Sequence, residues 1–144
     1  MTLRELYSIP YLEKEIEDYH KKILELRELA EKVTPSLTGM PSGGGAGDRV
    51  GDCATAIVMY TDLLEKAIAR KIEQEMIINQ YILDVEDTEL RRIMYLRFVQ
   101  QKTWREVADE IGGYSTEDSV RKRCNRYVSK NRANMSDMSA SKIV

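Results

Sequence analysis

TWREVADEIGGYSTEDSVRKRCNR, residues 103–126, contains two helix starts with a stop between them. Thr103 and Glu106 make a T-x-x-E capping box, in which side chains satisfy the first free N–H groups of a helix. Val107, Ala108 and Ile111 then fall on one face of that helix. Gly112-Gly113 ends it and supplies a tight turn. Ser115 or Thr116 caps a second helix, expected to run to about Lys130 with Val120, Cys124, Tyr127 and Val128 on its buried side. Just upstream, Leu90, Ile93, Met94 and Phe98 mark the apolar face of another short helix. A short helix, a Gly turn and a helix with a basic outer face form a helix-turn-helix arrangement.

The outer face of the last helix has chemistry suited to a duplex. Arg121, Lys122 and Arg126 can pair with guanine edges or neutralise phosphates, and Asn125 can read adenine. Ser115 and Thr116, at the capped N-terminus, lie beside free N–H groups that suit a phosphate. Glu117 and Asp118 oppose non-specific phosphate binding, yet can accept from cytosine amino groups or favour the helix dipole. The candidate DNA-binding set is therefore Ser115, Thr116, Glu117, Asp118, Arg121, Lys122, Asn125 and Arg126, with double-stranded DNA as the partner. Trp104, beside a capping residue, is expected to anchor the small core rather than stack on a base.

Upstream of this segment the pattern is also helical. Residues 52–111 contain neither Gly nor Pro, and nothing alternates with the period of a strand. A first long helix is expected from near Ser8 to before Pro35. Its apolar positions Leu12, Ile16, Tyr19, Ile23, Leu26, Ala30 and Val33 step by 4 and 3 in turn, the spacing of a heptad seam. Residues 34–47 hold five of the eight glycines and no charge, and read as a flexible linker. A phosphate-cradling loop is the minor alternative there, because no strand precedes it and Asp48-Arg49 stands where such a loop needs Lys-Ser/Thr. A second long helix is expected from Asp48 to about Leu83. Its seam is read as Val50, Ala54, Ile57, Thr61, Leu64 and Ile68, drifting to Ile72, Met76, Asn79 and Leu83. Two such helices predict an antiparallel hairpin, whose thin core favours a homo-oligomer or a docked partner.

Charge separates the two parts. Residues 1–87 carry 10 basic and 17 acidic side chains, residues 88–132 carry 11 and 6, and residues 133–144 one of each, giving the net charge of -2. An acidic front and a basic rear place any polyanion contact in the rear. The expected organisation is thus all-α: an acidic helical hairpin over 1–87, a helix-turn-helix module over 88–132 and a disordered tail over 133–144. No apolar run reaches the ~20 residues of a membrane span and no signal peptide is recognisable, so a cytoplasmic location in a bacterial host is expected. His20 has no metal-ligating companion at a suitable spacing. Cys53 and Cys124 read as small buried apolar residues. Acidic pairs such as Glu13/Glu17 and Asp84/Glu86/Asp87 read as solvated helix faces rather than catalytic dyads. No enzyme chemistry, cofactor or metal is implied.

The stretch Arg91-Arg-Ile-Met-Tyr-Leu-Arg-Phe98, then Thr103-Trp-Arg-Glu-Val-Ala-Asp-Glu-Ile-Gly112, then Ser119-Val-Arg-Lys-Arg-Cys-Asn-Arg126 resembles region 4 of sigma-70 factors. With the heptad helix and the Met40–Asp48 linker in front, the chain is similar to phage and prophage regulators of the ArpU/RinA type. The resemblance implies sequence-specific DNA binding that regulates transcription, and leaves open RNA polymerase as a direct partner. Two other readings remain open at this level: a DNA-packaging subunit like a small terminase, and a sigma-like adaptor whose main partner is polymerase. The sequence departs from the family pattern at three places. Gln101 replaces a usual glycine and predicts a longer or looser turn. The Gly112–Thr116 turn is one residue longer. Arg123 takes a usually apolar position and is expected to reach phosphate.

Overall fold

The computed structural model describes residues 1–33 and 45–141, with side chains over 1–32 and 49–136. The described residues form helices joined by short turns, without a strand: α1 (Leu3–Leu6), α2 (Ile9–Val33), α3 (Gly45–Leu83), α4 (Thr88–Met94), α5 (Trp104–Ile111) and α6 (Glu117–Ser141). Among them no helix is long and apolar enough to cross a membrane. The chain divides into two compact units, Pro10–Ile72 and Met1–Ile9 with Glu73–Val144. Most of the expected linker, 34–44, lies outside the described residues, and its last three residues begin α3.

In the Pro10–Ile72 unit, α2 turns the expected seam inward. Ile23 is buried, and Leu12, Ile16, Tyr19, Leu26 and Ala30 are half-buried. The expected seam of α3 is corrected. Val50, Ile57 and Leu64 do face inward, but the alternating positions are Cys53, Tyr60 and Ala67, whereas Ala54 and Ile68 are exposed and Thr61 only half-buried. Both sets flank the same ridge at heptad spacing. The chosen one buries two small side chains and brings the Tyr60 ring to 6.2 Å from that of Tyr19. Thr61 instead donates its hydroxyl to the Ile57 carbonyl of its own helix. At the other end of this unit Lys71 pairs with Glu13 at 3.4 Å.

In the second unit the end of α3 buries Ile78, Ile82 and, just past the helix, Val85. The expected drift of the seam to Ile72, Met76, Asn79 and Leu83 is therefore also corrected, because all four are exposed. The core of this unit is completed by Leu90, Ile93 and Met94 of α4, Leu96 and Phe98, Trp104, Val107 and Ala108 of α5, and Val120, Cys124 and Val128 of α6. α5 packs on α4 and α6, and α4 packs on α6.

Two features here have no counterpart in the sequence reading. The first is α1, capped by a reciprocal Thr2–Glu5 box, which delivers the buried Leu6 and Ile9 to this unit rather than to the other. Tyr7, next to it, meets Phe98 edge-on at 5.1 Å, and the Arg97 guanidinium lies between the Tyr7 and Trp104 rings at 5.1 and 4.9 Å. The second is that α4 continues into a π-helical turn, Tyr95–Val99. The wider turn ends in a tight reversal, since Gln101 adopts φ +57° and the Lys102 N–H donates to the Leu96 carbonyl at 3.1 Å. Arg97 also donates to the Lys102 carbonyl at 2.7 Å. The loose turn expected at Gln101 is thus a closed one, held by the conformation that glycine usually supplies. The tail expected over 133–144 is helical as far as Ser141, because no Gly or Pro follows Gly113 to stop α6.

Candidate nucleic-acid interface

The turn before α6 is built as the residues dictate. The Thr103 hydroxyl accepts from the Glu106 N–H and the Glu106 carboxylate accepts from the Thr103 N–H, so α5 begins with both capping bonds in place. This capping holds the Glu106 carboxyl below its ordinary range. Buried Trp104 anchors the start of α5. The helix stops where Gly112 and Gly113 adopt φ +75° and +65°, a region costly for any side chain with a Cβ. Thr116, not Ser115, caps α6. Its hydroxyl accepts from the Ser119 N–H at 3.1 Å, and its own N–H donates to the Ser119 hydroxyl at 2.9 Å.

The two faces of α6 are sharply different. Val120, Cys124 and Val128 repeat every fourth residue and are buried, which pushes the Cys124 thiol up to about 12. On the opposite side Thr116, Glu117, Asp118, Arg121, Lys122 and Arg126 are exposed, while Ser115 and Asn125 are half-buried. Seven of the eight sequence-derived site residues therefore share the exposed start and outer face of one helix, and Ser115 sits in the turn before it.

Three observations change the detail of the site. Asp118 binds both Arg121 and Lys122, the latter at 2.7 Å, and these two hydrogen bonds, Lys122 first, lower its carboxyl pKa. Two of the candidate cations are thus engaged with the neighbouring acid, whereas Arg126 has no ion-pair partner among the described residues. Arg123, expected to reach phosphate, is engaged within the chain: its guanidinium bridges Asp87 at 2.5 Å and Glu89 at 2.6 Å, tying α6 to the first turn of α4. The apolar contact usual at such a position is replaced by an ionic one, because the N-cap Asp87 and the first-turn Glu89 of α4 are within its reach.

The third observation is what the sequence reading omitted. Lys122, Asn125, Arg126, Ser129 and Lys130 line one shallow groove of about 490 Å³ along α6. Ser129 and Lys130 continue the i, i+3, i+4 face begun at Asn125 and Arg126, a signal available in the spacing. Tyr114, in the turn just before α6, is fully exposed. Its place directly after the Gly-Gly turn was visible in the sequence. Comparison of the chain with protein-family models, curated proteins and solved structures finds no match.

Proposed function

We propose that the chain is a sequence-specific DNA-binding transcriptional regulator of phage or prophage type, with α5 and α6 as its helix-turn-helix and α6 as the reading helix. The observation that carries this reading is the division of α6: an apolar face buried in the unit, and a groove of Lys122, Asn125, Arg126, Ser129 and Lys130 open to solvent. Its side chains suit a helix lying in the major groove, with cations for phosphates and amide or guanidinium groups for base edges. The sigma-70 region 4 resemblance of residues 91–126 supports the same assignment. The finer architecture belongs to this reading as well. The Lys71–Glu13 pair and the Tyr19–Tyr60 contact support an antiparallel α2–α3 hairpin, and the packing of α4, α5 and α6 on one another supports a three-helix module.

The test is a selection of bound sequences from random duplex DNA, followed by titration with variants at fixed salt. Asn125→Ala should relax preference at one base position and cost about 1–3 kcal/mol there. Arg126→Ala and Lys130→Ala should weaken all sequences alike and flatten the salt dependence by about one unit each. A selection that returns no enriched sequence, with wild-type affinity retained in Arg126→Ala, would remove α6 from the DNA interface.

A further inference from the structure

The heptad reading of α3 singled out Met76, Asn79 and Leu83 as seam residues, and intrachain packing leaves them uncovered. Met76 is 68% exposed and Leu83 67%, although Ile78 and Ile82 on the same two turns are buried. Spaced by 3 and 4 residues, the three lie on one face of the helix. Beside them opens a groove of about 370 Å³ lined by Asn79, Leu83, Thr88, Arg91, Arg92 and Tyr95. Tyr95 adds 43% of its surface to the apolar exposure. Exposed Met76, Leu83 and Tyr95 grouped around the polar Asn79, with arginines at the rim, have the form of an association surface rather than of a solvated helix face.

The charges around it indicate what covers it. Glu73 stands one turn before Met76, and Arg92 stands at the groove beside Leu83. Among the described residues neither has an ion-pair partner, and both are exposed. The patch therefore carries an unpaired acid at one end and an unpaired base at the other. The spacing of Met76, Asn79 and Leu83, 3 then 4, reads nearly the same in the opposite direction. These are the properties of a self-complementary surface, in which a two-fold axis brings each end of one copy to the opposite end of the other.

We propose that a second copy of this chain docks on this face, with the two α3 segments antiparallel and crossing at Asn79. Met76 of each copy meets Leu83 of the other, the groove beside Tyr95 receives the opposite helix, and Arg92 pairs with the other copy's Glu73. The interface is distinct from the Cys53–Ala67 seam, which is consumed within the chain. It is also independent of the DNA reading, because it predicts association of the protein alone.

The experiment is sedimentation equilibrium of the full chain with helix content and melting recorded in parallel. The wild type should dimerise. Leu83→Asp and Met76→Asp should be monomeric at the same concentration with unchanged helix content, since both positions are exposed in the single chain. Arg92→Glu and Glu73→Arg should each weaken the dimer about tenfold, two exposed pairs being lost per dimer, and the double variant should recover it. A dimer that survives Leu83→Asp overturns the proposal. So does a double variant weaker than either single one. A wild-type chain that stays monomeric also overturns it, and assigns the groove to a partner of different sequence.

Discussion

Gln101 holds φ at +57°, a conformation that costs a residue with a Cβ roughly 1–2 kcal/mol. It does so because the π-turn brings the Lys102 N–H back to the Leu96 carbonyl, and only a left-handed residue closes that loop. Gln101→Gly should remove the strain while adding chain entropy to the unfolded state, a net gain of about 0.5–1 kcal/mol in denaturant unfolding. Gly113→Ala should do the reverse, and for a backbone reason alone: a Cβ there meets nothing within 4 Å, yet φ is +65°. At Asp118 the question is one of charge. Asp118→Asn would free Arg121 and Lys122 together, whereas Glu117→Gln removes one charge from the same turn without freeing either. On generic duplex DNA Asp118→Asn should therefore bind more tightly and steepen the salt slope by up to about two units, with Glu117→Gln changing little. Equal effects of the two substitutions would show that only net charge matters there.

At the scale of elements, α1 and the α3 seam set out what the sequence made legible. Helices α2, α4, α5 and α6 follow from caps, breakers and apolar spacing, and the start of α6 was located to within one residue of Thr116. The α3 seam was misread because Ala54, Thr61 and Ile68 and their neighbours Cys53, Tyr60 and Ala67 keep the same period. Periodicity gives a spacing, and only the facing helix selects the side. Leu64→Asp should thus cost several kcal/mol by burying a charge, while Ile68→Asp, at an exposed position, should leave melting almost unchanged. Helix α1 was missed although Thr2 and Glu5 spell the same T-x-x-E box as Thr103 and Glu106. Four residues are too few to show a period, and the destination of Leu6, Tyr7 and Ile9 is a tertiary contact that no local pattern encodes. Leu6→Ala should destabilise the unit of Met1–Ile9 and Glu73–Val144 by about 2–5 kcal/mol through the cavity it leaves. Removal of residues 1–9 should likewise lower the melting temperature of this unit, because it takes Leu6 and Ile9 out of its core.

Across the whole molecule, carboxylates recur in one role, as acceptors at helix starts and beside basic side chains. Glu5 and Glu106 accept from the backbone N–H groups of Thr2 and Thr103, Asp87 accepts from the Leu90 and Glu89 N–H groups and from Arg123, and Asp118 accepts from Lys122 and Arg121. Every one of these contacts favours the ionised form, so each carboxyl titrates lower in the folded chain than its ordinary value of 4.5 for Glu or 3.8 for Asp. The sign of the linkage follows. Between the folded and unfolded values the unfolded chain binds more protons, so acid drives unfolding. The stability these groups contribute is complete above the unfolded values and is lost as pH falls through the folded ones. Denaturant midpoints should accordingly be flat from neutrality down to the ordinary Glu value and then decline steadily below it. The variant Asp87→Asn, which keeps the shape of the cap but cannot bind a proton in this range, should be less stable than wild type at neutral pH and should lose less of its stability on acidification. The two curves should converge in acid, where wild-type Asp87 is itself neutral. Parallel curves across the whole range would mean that neither the Leu90 N–H nor Arg123 favours the ionised Asp87, and would leave the Glu89–Arg123 pair as the ionic tie between α6 and α4.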